Sequence, residues 1–201
     1  MLRCAITNGT ANRYVNAAQI DRLQTQVRRW ADDGIDLIQL REKSLDAGAL
    51  FTLAEAAMQT LREMQSPTKL LINTRADVAI AARAHGVHLT SHADELTPQQ
   101  VRELFAHAEL ASPVVSVSCH TADEVARARD NGADFILFGT VFEKRIDGLC
   151  VANGSGLDRL REACELARSL PVLALGGVMP ENEPQCLAAG AAGVAGIRIF
   201  L

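Results

Sequence analysis

Pro171-Val-Leu-Ala-Leu-Gly176-Gly177-Val178 and, one helix-length later, Gly193-Val-Ala-Gly196-Ile197-Arg198 are short apolar runs that end in small residues. Runs of this length read as buried strands, and small residues at their ends let backbone N–H groups close on a ligand that side chains would hold away. The same unit recurs toward the N-terminus. Leu2–Thr7, Ile35–Leu40, Lys69–Asn73, Gly86–Leu89, Pro113–Ser118 and Ala133–Phe138 precede Pro171–Leu175 and Gly193–Ile197. Helical periodicity fills the intervals at Ala17–Asp32, Ala47–Met64, Ala76–Ala84, Pro98–Ala106, Ala122–Asp130, Gly156–Ser169 and Glu181–Ala188, several opening on Asp, Thr or Pro. Strands alternating with helical crossovers pair in parallel. Eight such strands predict a (β/α)8 TIM barrel, an α/β fold in a single domain over residues 1–201. The eighth helix is expected to be short or absent, because little chain follows Ile197, and a second copy in a homodimer is a way to cover that side. A doubly wound open sheet would carry G-x-G-x-x-G after its first strand, and this chain does not.

In such a barrel the loops after the seventh and eighth strands commonly bind phosphate. Gly176 and Gly177 therefore read either as a phosphate clasp or as a tight turn alone. The longest irregular stretch, Gly139 to Ser155, lies on the same face and reads as a lid.

The 201 residues are 48% hydrophobic with a formal net charge of -4, enough apolar content for one sizeable core. No Lys/Arg block points to nucleic acid or an anionic membrane surface, and no 18-residue apolar run points to a membrane span. A small-molecule partner is expected. The five cysteines are odd in number and never spaced C-x-x-C, which reads as free thiols in a reducing compartment; with no basic leader after Met1, the expected compartment is the cytoplasm.

Polar residues at the carboxyl ends of barrel strands are where chemistry is sought. Gln39, Arg41 and Lys43 place an amide and two cations there, as anion ligands or as a salt-bridge ring with Glu42. Asn73 is either a ligand contact or a helix cap. His120, after Ser118 and Cys119, can take a proton and return it, as an isomerisation requires, or can merely cap the following helix. Cys119 points to the opposite face and reads as core. His85, His88, His92 and His107 lack a metal spacing, so no metal site is expected.

Taken in order, Ala5-Ile6-Thr7, Gln39-Leu-Arg41-Glu42-Lys43, Leu71-Ile-Asn73-Thr74-Arg75-Ala-Asp77-Val-Ala79, Gly86-Val-His-Leu89, Ser116-Val-Ser118-Cys-His120, Ala133 to Gly139, Gly156-Leu157 and Ala174-Leu-Gly176-Gly177 resemble the thiamine phosphate synthase family. That resemblance implies one of two activities. The synthase joins a pyrimidine diphosphate to a thiazole phosphate with Mg2+; the thiazole tautomerase aromatises a carboxylated thiazole phosphate without a cofactor. The synthase pattern has an Asp where this chain has Thr74, and a second Asp that only Asp94 or Glu95 supplies, after a shift in register. Its loop G-P-x-x-x-T-x-T-K is replaced from Gly139 to Asp147. Phe138-Gly139-Thr-Val141-Phe142-Glu143 and Gly154-Ser-Gly156 resemble the tautomerase pattern instead. The resemblance thus implies a tautomerase with His120 as acid and base. It also implies substrate contacts from Gln39, Arg41, Lys43, Asn73 and Ser118, and phosphate contacts from Gly176, Gly177, Ile197 and Arg198, the last standing where relatives usually carry Ser. The alternatives it leaves are a Mg2+-dependent synthase or a non-catalytic phosphate-binding relative.

Overall fold

The computed structural model describes residues 1–9, 11, 14–146 and 149–200, with backbone alone for 144–146 and 149–152. Eight parallel strands close into a barrel: β1 (Leu2–Ile6), β2 (Leu37–Leu40), β3 (Lys69–Asn73), β4 (Gly86–Leu89), β5 (Val114–Cys119), β6 (Phe135–Gly139), β9 (Val172–Leu175) and β10 (Gly193–Gly196). Each pairs with its neighbours in chain order, and β10 returns to β1 with Leu2 opposite Gly193, so every strand edge is satisfied. Seven helices surround them: α1 (Ala17–Asp32), α2 (Ala47–Glu63), α3 (Ala76–Ala81), α4 (Pro98–His107), α5 (Ala122–Asp130), α6 (Leu157–Ala167) and α7 (Glu183–Ala188). This is the expected TIM barrel.

Strand alternation divides the core into two layers. Cys4, Ile6, Leu37, Leu71, Phe135, Leu137, Leu173 and Ala195 fill the inside of the barrel, while Ile38, Leu70, Val87, Val117, Ile136 and Val194 pack outward against the helices. Cys119 belongs to the outer layer, as expected. No described helix is long and apolar enough to cross a membrane.

The helices start where the caps fall. Asn16, Thr97 and Thr121 each form a capping box with the side chain three residues on, and Asp46 accepts from Ala49 N. Three end earlier or later than composition suggests because a non-glycine residue takes the left-handed conformation after them. Gln65, Arg83 and Glu109 have φ of 51, 52 and 55°, and the following N–H groups of Ser66, Ala84 and Leu110 reach back to Leu61, Ala79 and Phe105.

The eighth helix is reduced to a 3-10 turn, Arg198–Phe200. It is held by Trp30 Nε1, which donates to the Phe200 carbonyl at 2.8 Å. The stretch from Gly139 to Ser155 differs from the irregular loop expected of it. It carries a two-stranded antiparallel ribbon, β7 (Lys144–Ile146) and β8 (Leu149–Ala152), between β6 and α6; Asp147 and Gly148 lie outside the described residues. Antiparallel pairing of two short strands requires only a tight turn and no long apolar run, so composition does not announce it.

Candidate active site

The barrel interior changes character toward the carboxyl ends of the strands. Above the apolar layer, Gln39, Asn73, His88, Ser116 and Ser118 project inward from β2, β3, β4 and β5, each on the inward parity of its strand. Gln39 Nε2 donates to Asn73 Oδ1 at 2.9 Å. His88 stands opposite both Asn73 and Ser116 in the register, with Nδ1 2.8 Å from Ser116 Oγ and Nε2 2.8 Å from Ser118 Oγ. Burial, and secondarily the Arg41 charge, pushes the His88 imidazole down to about 3, so the ring is neutral. These contacts satisfy polar groups whose burial would otherwise be costly.

The opposite side of the mouth is apolar and tightly built. Leu175 and Ile197 pack on the inner core, and the chain leaving β6 lies across β9: Val141 N donates to Leu175 O at 2.9 Å and Phe142 N to Gly176 O at 3.0 Å. Gly176 and Gly177 have φ of 92 and 66°. A Cβ on Gly177 would stand 2.8 Å from both Cβ and O of Phe142, and one on Gly176 would stand 2.6 Å from Thr140 Cγ2. The glycines thus let the root of the β7–β8 ribbon pass over the strand end, a structural demand beside any phosphate contact. Asn182 closes the turn, donating to Gly177 O at 3.0 Å and accepting from Met179 N at 2.8 Å.

His120 sits at the rim between the two halves. It is not the helix cap: Thr121 holds that position on α5, and the His120 backbone N–H donates to Glu124 Oε2 at 2.5 Å. Although burial raises it, Glu124 is held below the usual carboxylate range by hydrogen bonds from His120 N, the Ser91 hydroxyl and Thr121 N, which tie the loops after β4 and β5 together. The imidazole Nδ1 meets the Gly139 carbonyl. A carbonyl can only accept, so Nδ1 carries a proton, and the nitrogen that can exchange a proton with a ligand is Nε2. The residue is exposed, and beside it a cavity of about 350 Å³ opens between the starts of α5 and α6, lined in part by Thr121, Asp123, Ser155 and Arg159.

The remaining expected residues fall as follows. Asn73 is not a cap; Arg75 occupies that position on α3, without a side-chain cap bond. Arg41 is half-buried with its backbone N bonded to Thr7 Oγ1 at 2.9 Å, and Lys43 is exposed. Neither enters an ion pair among the described residues, so a salt-bridge ring with Glu42 is not formed; Glu42, 8% exposed, instead accepts from Ala11 N at 2.9 Å. Ile197 borders the mouth, and Arg198 is exposed at the start of the 3-10 turn. His88, set aside on metal spacing, is the residue that sequence reasoning missed.

Two of the carboxylates near the mouth already have partners, whereas Asp94, the other candidate ligand, is exposed. Asp77 pairs with Arg75 at 2.8 and 2.5 Å, and Glu95 accepts from Thr90 Oγ1 and Leu96 N, both at 3.2 Å. Thr74, backbone-bonded to His88 O at 2.8 Å, brings no charge, and no group of three His, Cys, Asp or Glu among the described residues is arranged to hold a cation. With Asp77 and Glu95 engaged and Thr74 uncharged, this donor set offers Mg2+ on a diphosphate few carboxylates beyond Asp94.

The thiamine monophosphate synthase family model matches residues 6–200. The chain belongs to this family. It is 42% identical over 169 residues to a Geobacter sulfurreducens protein named among the thiamine-phosphate synthases, covering 84% of this chain and 74% of that one. It is 35% identical over 166 residues to the thiamine-phosphate synthase of Chlorobium luteolum, covering 81% and 72%. Among solved structures, the thiamine phosphate pyrophosphorylase from Pyrococcus furiosus superposes with a TM-score of 0.74 at 25% identity, over 98% of this chain and 85% of that one.

Proposed function

We propose that this family member is a thiazole tautomerase: an isomerase that aromatises a carboxythiazole phosphate by acid–base catalysis in thiamine synthesis, working in the cytoplasm. The observation that carries the reading is His120, which follows β5 two residues beyond Ser118 and whose Nδ1–H is engaged by Gly139 O, leaving Nε2 as the nitrogen for proton exchange. In the reaction, Nε2 takes the proton from the ring carbon bearing the carboxylate, the electron pair shifts through the ring toward the exocyclic carbon, and the imidazolium returns the same proton there. Protons and charge balance without a co-reactant. Arg41 and Lys43 supply cations for the carboxylate. The Gly176–Gly177 turn and the start of the 3-10 turn, with Ile197 and Arg198, supply the phosphate end. Holding both ends fixes the reacting carbons beside one base.

The transferase reading is favoured by the names of the relatives at 42% and 35% identity. Against it stands the committed state of the carboxylates around Thr74, Asp77 and Glu95. One pair of assays separates the two. Metal-free protein given the non-aromatic thiazole carboxylate phosphate should raise the ultraviolet absorbance of the aromatic product. His120→Asn should slow this by roughly 10²–10⁴ with little change in substrate affinity. Faster Mg2+-dependent release of pyrophosphate from the pyrimidine diphosphate in the presence of thiazole phosphate would overturn the isomerase assignment.

A further inference from the structure

The reaction outlined above uses His120 and leaves His88 without a task, although His88 is only 3% exposed and each of its ring nitrogens faces a serine hydroxyl at 2.8 Å. A neutral imidazole donates through one nitrogen and accepts at the other, so two arrangements compete. Either Nδ1–H donates to Ser116 and Ser118 donates to Nε2, or Ser116 donates to Nδ1 and Nε2–H donates to Ser118. Ser116 decides between them. Its side chain is fully enclosed, and among the described residues the His88 ring is its one hydrogen-bond partner. Were Ser116 to accept from Nδ1–H, its own O–H would be buried with nothing to receive it, whereas donating to Nδ1 leaves only a lone pair unused, the cheaper deficit. Ser116 therefore donates, His88 carries its proton on Nε2, and Ser118 is the acceptor. Ser118 is half-buried, so its own O–H is left to point out of the barrel into the mouth.

We infer that His88 is a positioning residue that fixes the Ser118 hydroxyl as a dedicated hydrogen-bond donor to an anionic oxygen of the substrate. The inference rests on the proposed reading only in taking that substrate to be a thiazole phosphate. A hydroxyl directed as a donor suits a carboxylate or phosphate oxygen, and disfavours a donor group in that place.

Two measurements test it. The first is the ring ¹⁵N spectrum of histidine-labelled wild-type protein, with the His88 signals assigned by their loss in His88→Gln. A neutral ring protonated at Nε2 between about pH 5 and 8 is expected, and protonation at Nδ1 would refute the inference whatever the protein catalyses. The second is binding of carboxythiazole phosphate and of thiazole phosphate lacking the carboxyl. His88→Leu should weaken binding roughly tenfold, and His88→Gln, whose amide can accept from Ser116 and donate to Ser118, should restore most of it. In a Ser118→Ala background, His88→Leu should cause no further loss; an equal loss in both backgrounds would mean that His88 only fills space. A loss confined to the carboxylated ligand assigns Ser118 to the carboxylate, and a loss for both assigns it to the phosphate. If neither compound binds nor turns over, the proposed function fails while the spectrum still decides the His88 proton.

Discussion

His88 and His85 make the stability of the barrel depend on pH in a stated direction. Burial pushes His88 to about 3, and burial with the Lys69 and Arg62 charges pushes His85 to about 4, while its Nδ1 accepts from Leu70 N at 3.0 Å. Both rings are neutral when folded and bind protons near pH 6.5 when unfolded, so the unfolded state holds more protons as pH falls. Stability is fully present above the unfolded value and is lost as pH drops from about 6.5 toward 4 and 3, on the order of 1.4 kcal/mol per pH unit per histidine at full slope. Urea midpoints compared at neutral and mildly acidic pH should fall accordingly, and His88→Gln should show a shallower dependence. Asp77, held low by its hydrogen bond from Arg75, adds its loss only at more acidic pH. A midpoint that does not change across that range would place charged histidines in the folded protein. At Gly177 the expected effect is steric. Gly177→Ala sets a methyl 2.8 Å from Phe142, at a φ that L residues avoid, and should cost about 1–3 kcal/mol. Limited proteolysis should find its first new cuts in the ribbon between β6 and α6.

At the scale of elements, the strands were legible because their alternation is dictated by the pleat. Lys69–Asn73 and Gly86–Leu89 are bounded as the sequence reading has them. Helix ends were less so, since Arg83 and Gln65 stop helices in a conformation that side chain and spacing do not advertise. The ribbon between β6 and α6 escaped notice for want of apolar length. Within the site, Gln39, Asn73, Ser118 and His120 were recognisable as polar residues at strand ends. His88 was recognisable by the same logic: Val87 and Leu89 face the helices, so a histidine between them must face the inside. Metal spacing, which His88 lacks, is blind to that parity. The close approach of Phe142 to Gly177 could not be read at all, because it joins segments distant in the chain. Two elements yield predictions. Thr121→Ala removes the cap of α5 and should cost about 1 kcal/mol in thermal unfolding. Trp30→Phe keeps an aromatic ring but loses the bond to Phe200 O and should cost about 0.5–1.5 kcal/mol, with faster hydrogen exchange at the end of α1.

Across the whole molecule, closure by β1 and β10 couples the ends of the chain, so the barrel should unfold as one unit. Trp30 is the only tryptophan and sits at that seam. Its fluorescence and far-ultraviolet circular dichroism should therefore follow the same urea transition, and separated curves would mean that the seam opens first. The division of the mouth has an evolutionary consequence as well. Its inward polar groups, Gln39, Asn73, His88, Ser116 and Ser118, all precede β6, and the apolar and glycine-lined wall, Leu175 to Gly177 and Ile197, comes after it. Chain order and chemistry thus coincide along two seams, β5 with β6 and β1 with β10. A recombination event at those seams would exchange what the barrel recognises at one edge of a ligand while inheriting intact the clasp at the other.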